Sequence, residues 1–578
     1  MHDLTEFICE RIASLCALAR EEVRQALTRP PRLDMGDLAF PCFPLAKQRK
    51  KAPPVIAREL AEEFAADFAA QGIRCEAAGP YLNFRFDHCM LAGRLLAQAL
   101  AGSLLSGAGQ GRTVVIDYSS PNIAKPFSMG HLRSTSIGNA LSHIYAALGW
   151  KVARVNHLGD WGTQFGKLIV AFRLWGDRAR LANEGIPYLM ELYVRVNDEA
   201  KARPELDEEA RAAFKQLEDG DTAALELWKI FREVSLAEFE RIYAILGVAF
   251  DSYAGESFYN DRIEAAIAVL ERAGLLIRSE GALVVAAGEP DAPEKDAAPP
   301  CMIRKSDGAS TYAARDLAAI FYRWQEYAFD RLLYVVGSPQ ALHFKQVFAV
   351  LKKLDLAYAD RCVHIPFGQV LLNGEMMSTR KGNVIFLEDV IKEAETRALA
   401  KMRENSESSD TACEAEIARN LAVSSIIFYD LKNGRIKDVD FNWEEILNPH
   451  GETGIYLQYA HARIHGIMRK YDERMSEPSA AIINSPPRVT EEESWPLFDA
   501  IARFQEKLAL AAEHNEPSVI ARFLLDLASA FSAWYRVHRV INEDNPVLSR
   551  ERMGVVLAVR AVLAQGLRLL GITPLEKM

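Results

Sequence analysis

One segment limits the fold more than any other. Thr113-Val114-Val115-Ile116-Asp117-Tyr118 is a short β-branched run, and after it come apolar Leu132, Ile137, Leu141, Ile144 and Leu148 at spacings of three to five residues. A continuous apolar run of this length suits a strand covered on both faces, and the following spacing suits a helix. Further strand patterns at 152–158, Leu332-Leu333-Tyr334-Val335-Val336 and 364–372 alternate with helical ones. Parallel neighbours need a crossover connection, so this alternation predicts a doubly wound, Rossmann-like parallel sheet over 109–384. Helical insertions interrupt it at about 177–235, and a proline-rich surface excursion lies at 285–301.

The flanks read differently. Residues 1–108 predict a small α/β domain, with a helix over 4–27, an apolar loop Leu38-Ala39-Phe40-Pro41, a helix over 55–70 and a strand Tyr81-Leu82-Asn83-Phe84-Arg85-Phe86. The small-residue stretch 102–112 is the expected linker. Beyond 385 strand signals fade. A helical connector over 385–450 and an all-α domain over 451–578 are expected from periodicity at 411–430, 451–471, 496–513, 517–542 and from 550 onward. The fold class is therefore α/β multidomain: a parallel-sheet domain between a small N-terminal α/β domain and an all-α C-terminal one.

No stretch of about 18 uncharged apolar residues occurs, and the most apolar segment is broken by Arg560 and Arg568. The first residues include Asp3 and Glu6 rather than a basic-then-apolar leader. A cytoplasmic protein without a membrane partner is expected. Eight cysteines contain no C-x-x-C pair, so scattered reduced thiols are expected, with no zinc and no metal ligands. A net charge of −10 argues, taken alone, against nucleic-acid binding. Phosphate contacts need only a local basic face, however, and Lys47, Arg49, Lys50 and Lys51 form the densest one. A solvated helix end would explain them equally.

Two segments carry candidate chemistry. The string from Asp117 to Thr135 follows a strand and opens a helix, where unpaired N–H groups favour a phosphate. Gly130 would admit close approach of a base or phosphate, and His131 could donate to a phosphate oxygen. Ser128 and Lys125 stand just before them. A Gly-His pair at a helix start is ordinarily plain structure. The second segment, Glu375 to Asn383, includes Met377, Ser378, Arg380 and Lys381. A cationic loop there could meet departing phosphates, or it could be a basic surface turn.

A planar cation would need carboxylates accepting parallel hydrogen bonds. Asp117 ends the first strand, Tyr312 and Asp316 are one helical turn apart, and Gln340 follows a strand. Singly, each is equally explained as a cap, a surface acid or a core tyrosine.

The 19-residue string 117–135 resembles the signature of class I aminoacyl-tRNA synthetases, specifically the arginyl branch with its Ser-Pro-Asn-Ile-Ala-Lys lead-in. The family's usual His-x-Gly-His reads Ser128-Met129-Gly130-His131 here. The segment 375–383 resembles the family's Lys-Met-Ser-Lys-Ser loop, with Met376 and Thr379 at its two lysine positions. Lys125 is expected to help supply the missing charge. The strings 156–166, 342–346, 451–463 and 33–46 resemble further blocks of the same family, so the resemblance spans the chain in order.

The resemblance implies an ATP-dependent arginine–tRNA ligase with no editing domain. Asp117, Tyr312 and Asp316 would hold the arginine guanidinium, and Ser120, Asn122 and Gln340 its amino and carboxylate groups. Lys125, His131, Ser378, Arg380 and Lys381 would act in catalysis. Ser128, Gly130, His131, Met377 and Ser378 would meet ATP, and Mg²⁺ would serve as cofactor. Lys47, Arg49, Lys50 and Lys51 would contact the tRNA(Arg) elbow. Tyr456 and Tyr459 could stack on anticodon bases or pack in the core. A monomer that needs bound tRNA for activation is the family expectation. Three readings compete: a cysteinyl- or glutamyl-type synthetase, an inactive relative that only binds tRNA, and a nucleotidyltransferase acting on a small metabolite.

Overall fold

The computed structural model describes every residue except Met1, Leu33, Asp34, Ser106, Ala287, 289–298, Asn373, 377–385 and 406–410. The chain divides into two compact units. One comprises 1–105, 463–507 and 525–563; the other comprises 106–462, 508–524 and 564–578.

The first unit holds a three-stranded antiparallel sheet. Its strands are β1 (Leu38–Pro41), β2 (Ile73–Ala78) and β3 (Tyr81–Phe86), in the order β1-β3-β2. Helix Pro53–Ala69 covers it through Phe64 and Phe68, and Phe68 meets Phe84 edge-on. The strand at 81–86 stands where its alternation placed it. The segment expected as the loop 38–41 is instead β1, an edge strand, where Pro41 withholds no hydrogen bond that matters. The helical pattern over 4–27 forms two helices, His2–Cys16 and Arg20–Ala26, parted where Ala17 takes φ 52°.

In the second unit β4 (Thr113–Asp117) and β5 (Lys151–Val155) begin the central sheet. A separate antiparallel trio follows: β6 (Ile277–Ser279), β7 (Ala282–Val285) and β8 (Cys301–Arg304). Next are β9 (Arg331–Gly337) and β10 (Cys362–Phe367), and the central sheet is wholly parallel in the order β10-β9-β4-β5. The run 364–372 is not one strand. It breaks at Gly368, and β11 (Val370–Leu372) joins a small sheet between β12 (Glu375–Met376) and β13 (Val439–Asp440). β13 lies in a region that periodicity assigned to helix alone. Four helices between Arg178 and Leu246 form the insertion.

The core of the parallel sheet is built from strand residues and helix Met129–Ala147, which is buried on nearly every side. Its Gly138 faces Tyr118, and a Cβ there would lie 2.2 Å from the tyrosine ring. Gly138→Ala should therefore overpack this joint and cost about 1–3 kcal/mol. Urea denaturation of the two proteins checks it; equal midpoints would show that the tyrosine yields freely.

Candidate active site

β4 ends at Asp117, and the chain leaves the sheet through a turn that only dense support can hold. Ser119, Ser120 and Ala124 take φ of 70°, 45° and 59°, left-handed values that cost non-glycine residues roughly 1–3 kcal/mol each. The Ser119 amide donates to Ser134 Oγ (2.9 Å), whose hydroxyl donates to the Val335 carbonyl (2.7 Å). Ser119 Oγ accepts from Thr135 Oγ1 at 2.8 Å and lies 2.7 Å from the Tyr243 hydroxyl, which also accepts from Asn156 Nδ2. The Ala124 amide donates to Ser235 Oγ. The Ile123 amide donates to the Gly159 carbonyl and the Gly159 amide to that of Pro121. A Cβ at Gly159 would sit 1.9 Å from Asn122 Oδ1, so this glycine makes room for Asn122.

The turn presents Ser120 and the exposed Asn122 beside Asp117. Asp117 is 4% exposed, and its Oδ1 accepts from Ser120 Oγ at 3.0 Å. Its Oδ2 lies 2.7 Å from Nη2 of Arg323, a guanidinium only 1% exposed. The sequence reading did not include Arg323, although it stands two helical turns beyond Asp316 on helix Tyr312–Tyr327 and so shares its face. Arg323 also donates to His157 Nδ1 (3.3 Å), and the His157 ring stacks on Tyr259. Burial holds His157 below the ordinary imidazole range, and both Asp117 and Asp316 act on it in the opposite sense.

Asp117 and Asp316 also both act on Tyr334, which pairs with Asp117 across β4 and β9. Asp117 ends β4, and Asp316 lies near the start of helix Tyr312–Tyr327. Asp316 is held by His343 Nε2 at 2.5 Å, and His343 lies one helical turn beyond the exposed Gln340. Tyr312, 63% exposed, is one turn before Asp316. Ligands in open α/β sheets bind at these strand ends.

Helix Met129–Ala147 starts at the same edge, with Ser128 as its N-cap residue. The Ser128 amide donates to His131 Nδ1 at 3.0 Å. That bond leaves the ring proton on Nε2, free to donate outward. Burial, aided by the charge of Lys125, pushes His131 down to about 4, so the ring is neutral at physiological pH. The exposed Gly130 stands beside it.

Met377, Ser378, Arg380 and Lys381 lie outside the described residues. On either side of them, β12 pairs with β11, Phe386 bridges to Ser128, and the Leu387 amide donates to the Phe127 carbonyl at 3.0 Å. Among the described residues, no group of three or more His, Cys, Asp or Glu side chains is arranged to hold a metal ion. No helix of the described residues is long and apolar enough to cross a membrane. Lys47 and Arg49 end helix Phe43–Arg49, Lys50 follows in a left-handed conformation, and Lys51 pairs with Glu59 at 2.6 Å. Tyr459 is exposed and Tyr456 half-buried on helix Gly454–Arg474.

Glu256 is a further acid absent from the sequence reading. It follows Gly255, and its amide donates to the Leu158 carbonyl. Burial pushes its carboxyl up to about 7; Arg315 opposes this, while Asp160 and Asp316 reinforce it.

Comparison with known proteins agrees over the whole chain. Residues 95–443 match the family model of the class I tRNA synthetase (R) catalytic domain. Residues 457–578 match the DALR anticodon binding domain, and 2–86 the arginyl tRNA synthetase N-terminal domain. The chain is 44% identical to an arginine–tRNA ligase of Exiguobacterium sibiricum, covering 97% of each. It is 43% identical to one of Clostridium perfringens over the full length of both. The solved arginyl-tRNA synthetase of Thermus thermophilus superposes with a TM-score of 0.76 at 27% identity, covering 96% of each chain.

The raised Glu256 has a consequence for stability. The fold favours its neutral form, so its contribution is whole below the ordinary value of 4.5 and is lost as pH rises through about 7. Glu256→Gln should therefore gain on the parent by roughly 2 °C or more in melting temperature between pH 5 and pH 8. Calorimetry at both pH values decides it; a pH-independent difference would show that Glu256 is ionised throughout.

Proposed function

The chain belongs to the class I arginyl-tRNA synthetase family, and from that premise we propose that it joins L-arginine to the 3′-terminal adenosine of tRNA(Arg) through an arginyl-adenylate. The observation that carries this reading is that Asp117 at the end of β4 is held by Arg323 of the same helix, Tyr312–Tyr327, that carries Tyr312 and Asp316.

Asp117, Tyr312 and Asp316 are the proposed acceptors for the guanidinium, with Ser120, Asn122 and Gln340 for the amino and carboxylate groups. Ser120 and Arg323 pin Asp117, and His343 pins Asp316, so both acceptors are oriented before substrate arrives. A lysine ammonium lacks the planar fork and could not bond both carboxylates in parallel, at roughly 1–3 kcal/mol for each bond lost. An arginine carboxylate oxygen attacks the α-phosphorus of ATP; the new P–O bond forms as the bond to pyrophosphate breaks. The neutral His131 donates its Nε2 proton as a hydrogen bond to phosphate oxygen, and Lys125 adds positive charge. Ser128 and Gly130 stand at the helix N-terminus that faces the nucleotide.

Met377, Ser378, Arg380 and Lys381 join the ATP site on the strength of the resemblance. Mg²⁺ ordinarily binds through substrate phosphates with one or two carboxylates, and we propose that it enters with ATP to neutralise phosphate charge. No zinc is proposed, since the sequence has no C-x-x-C pair. The 2′-hydroxyl of the terminal adenosine then attacks the arginyl carbonyl, and AMP leaves.

The proposed division of labour gives 1–108 the tRNA elbow through Lys47, Arg49, Lys50 and Lys51. It gives 109–384 the chemistry, 385–450 the connection, and 451–578 the anticodon through Tyr456 and Tyr459. A cytoplasmic monomer whose activation step needs tRNA completes the proposal.

Incorporation of labelled arginine into unfractionated tRNA, with and without ATP and with lysine as competitor, tests the reading. ATP-dependent charging with arginine and none with lysine is expected. A folded protein that retains tRNA on a filter but charges nothing would be an RNA-binding relative instead. Within the active enzyme, Asp316→Asn should lower kcat/KM for arginine roughly ten- to hundredfold while leaving the KM for ATP within about twofold. Equal losses for both substrates would remove Asp316 from the arginine pocket.

A further inference from the structure

Arg133 stands two residues beyond His131 on the same helix, yet it points away from the site and is 1% exposed. A buried guanidinium is costly unless its surroundings are built for it. Here its Nε lies 2.8 Å from Asp430 Oδ1, Nη1 donates to the Lys437 carbonyl at 2.7 Å, and Nη2 donates to the Arg435 carbonyl at 3.3 Å. These three polar partners belong to one stretch of chain, 430–437, and the guanidinium also lies over the Phe367 ring at the end of β10. That stretch is in turn fastened to the strand pair that leads into the second signature. The Gly368 amide donates to the same Arg435 carbonyl (2.8 Å), the Gln369 amide to Asp438 Oδ1 (2.6 Å) and the Gly374 amide to Asp440 Oδ1 (3.3 Å). β13 pairs with β11 directly afterwards, and the two backbones run so close that a Cβ on Gly368 would lie 2.5 Å from the Lys437 carbonyl.

The stretch is anchored at a third point. Arg435 Nη1 donates to the Pro366 carbonyl at the end of β10 (2.6 Å), its Nε to the Asn515 carbonyl (3.1 Å), and its amide to the Glu516 carboxylate (3.3 Å). One short segment thus ties the His131 helix, the end of β10 with the start of β11, and the corner between helices Phe504–Glu513 and Ser518–Val537.

We infer that Arg133 is a positioning residue for ATP: through Asp430 and the 435–437 carbonyls it fixes the first turn of the His131 helix against the β11–β12 hairpin. The inference rests on the reading of His131 as a phosphate donor. It goes beyond that reading by assigning to a residue that touches no substrate the spacing between the His131 helix and the β11–β12 hairpin. The guanidinium acceptors Asp117, Tyr312 and Asp316 lie on β4 and helix Tyr312–Tyr327, away from the 430–437 contacts of Arg133, whereas Ser120 and Asn122 share the turn that Ser134 and Thr135 hold. Loss of Arg133 should therefore weaken the use of ATP more than the binding of the guanidinium.

Arg133→Lys keeps the charge and loses the fork that reaches two carbonyls and a carboxylate at once. Arg331→Lys is the control, a cation at the opposite end of β9 that bonds the Tyr145 hydroxyl (2.7 Å) and the Ala512 carbonyl. Pyrophosphate exchange with tRNA present should show kcat/KM for ATP lowered on the order of tenfold or more in Arg133→Lys, with the KM for arginine within about twofold. Arg331→Lys should change melting temperature alone. Hydrogen exchange of the unliganded full chain decides the brace independently of turnover. In Arg133→Lys, protection should fall together at 129–133 and 366–376 and stay at 312–316. Local loss at 129–133 alone, or ATP and arginine parameters falling in parallel as in a generally loosened protein, overturns the inference. If the parent protein catalyses no exchange, the proposed function fails, and the exchange pattern still accepts or rejects the brace.

Discussion

A carboxylate buried at the end of a central strand has to be answered by a cation, and the Asp117–Arg323 pair is that answer. Without Arg323 the charge of Asp117 would stand desolvated among Tyr118, Tyr334 and the sheet, at a cost of several kcal/mol. Meeting that need places helix Tyr312–Tyr327 against β4 and β9. The same helix carries Asp316 two turns earlier, on the same face. One acid at a strand end and one on the neighbouring helix are thereby tied to a single packing contact.

The charges around the site are segregated. Asp117 and Asp316 with their partners Arg323 and His343 form one group, and the start of helix Met129–Ala147 has Lys125 nearby and carries a neutral His131 ring. Keeping His131 uncharged avoids placing a second cation beside Lys125, while the Ser128 amide still directs its Nε2 proton outward. Ser128 is where this chain departs from the family's histidine, and the helix gains an N-cap residue at that position. The departure is a change of donor at the site and of fit at the helix end, rather than a plain loss.

What the sequence disclosed, and what it hid, divide along contact distance. The β-branched run of β4, the alternation of β3 and the one-turn spacing of Tyr312 and Asp316 are local signals, and they read directly. Arg323 had a local signal too, seven residues beyond Asp316, but a lone arginine in a helix is indistinguishable from a surface charge until its partner is known. Asp160 and Arg133 were hidden more deeply. Asp160 meets Arg232 and Ser257, and Arg133 meets Asp430, across separations no periodicity reports. β13 is two residues long and exists only because β11 lies beside it. Leu38–Pro41 looked like a loop because proline is rare inside sheets, and it proved to be an edge.

The turn after β4 explains why so much of this site is polar yet buried. Three non-glycine residues there sit in left-handed conformations, and apolar packing alone would let them relax. Hydroxyls and amides cannot slide as methyl groups can: Ser119, Ser134, Thr135, Asn156, Ser235 and Tyr243 each lose a partner if the backbone moves, and each loss in a dry interior costs about 1–3 kcal/mol. The network therefore converts small displacements into large penalties. Ser120 and Asn122 gain their fixed positions from it at the end of β4.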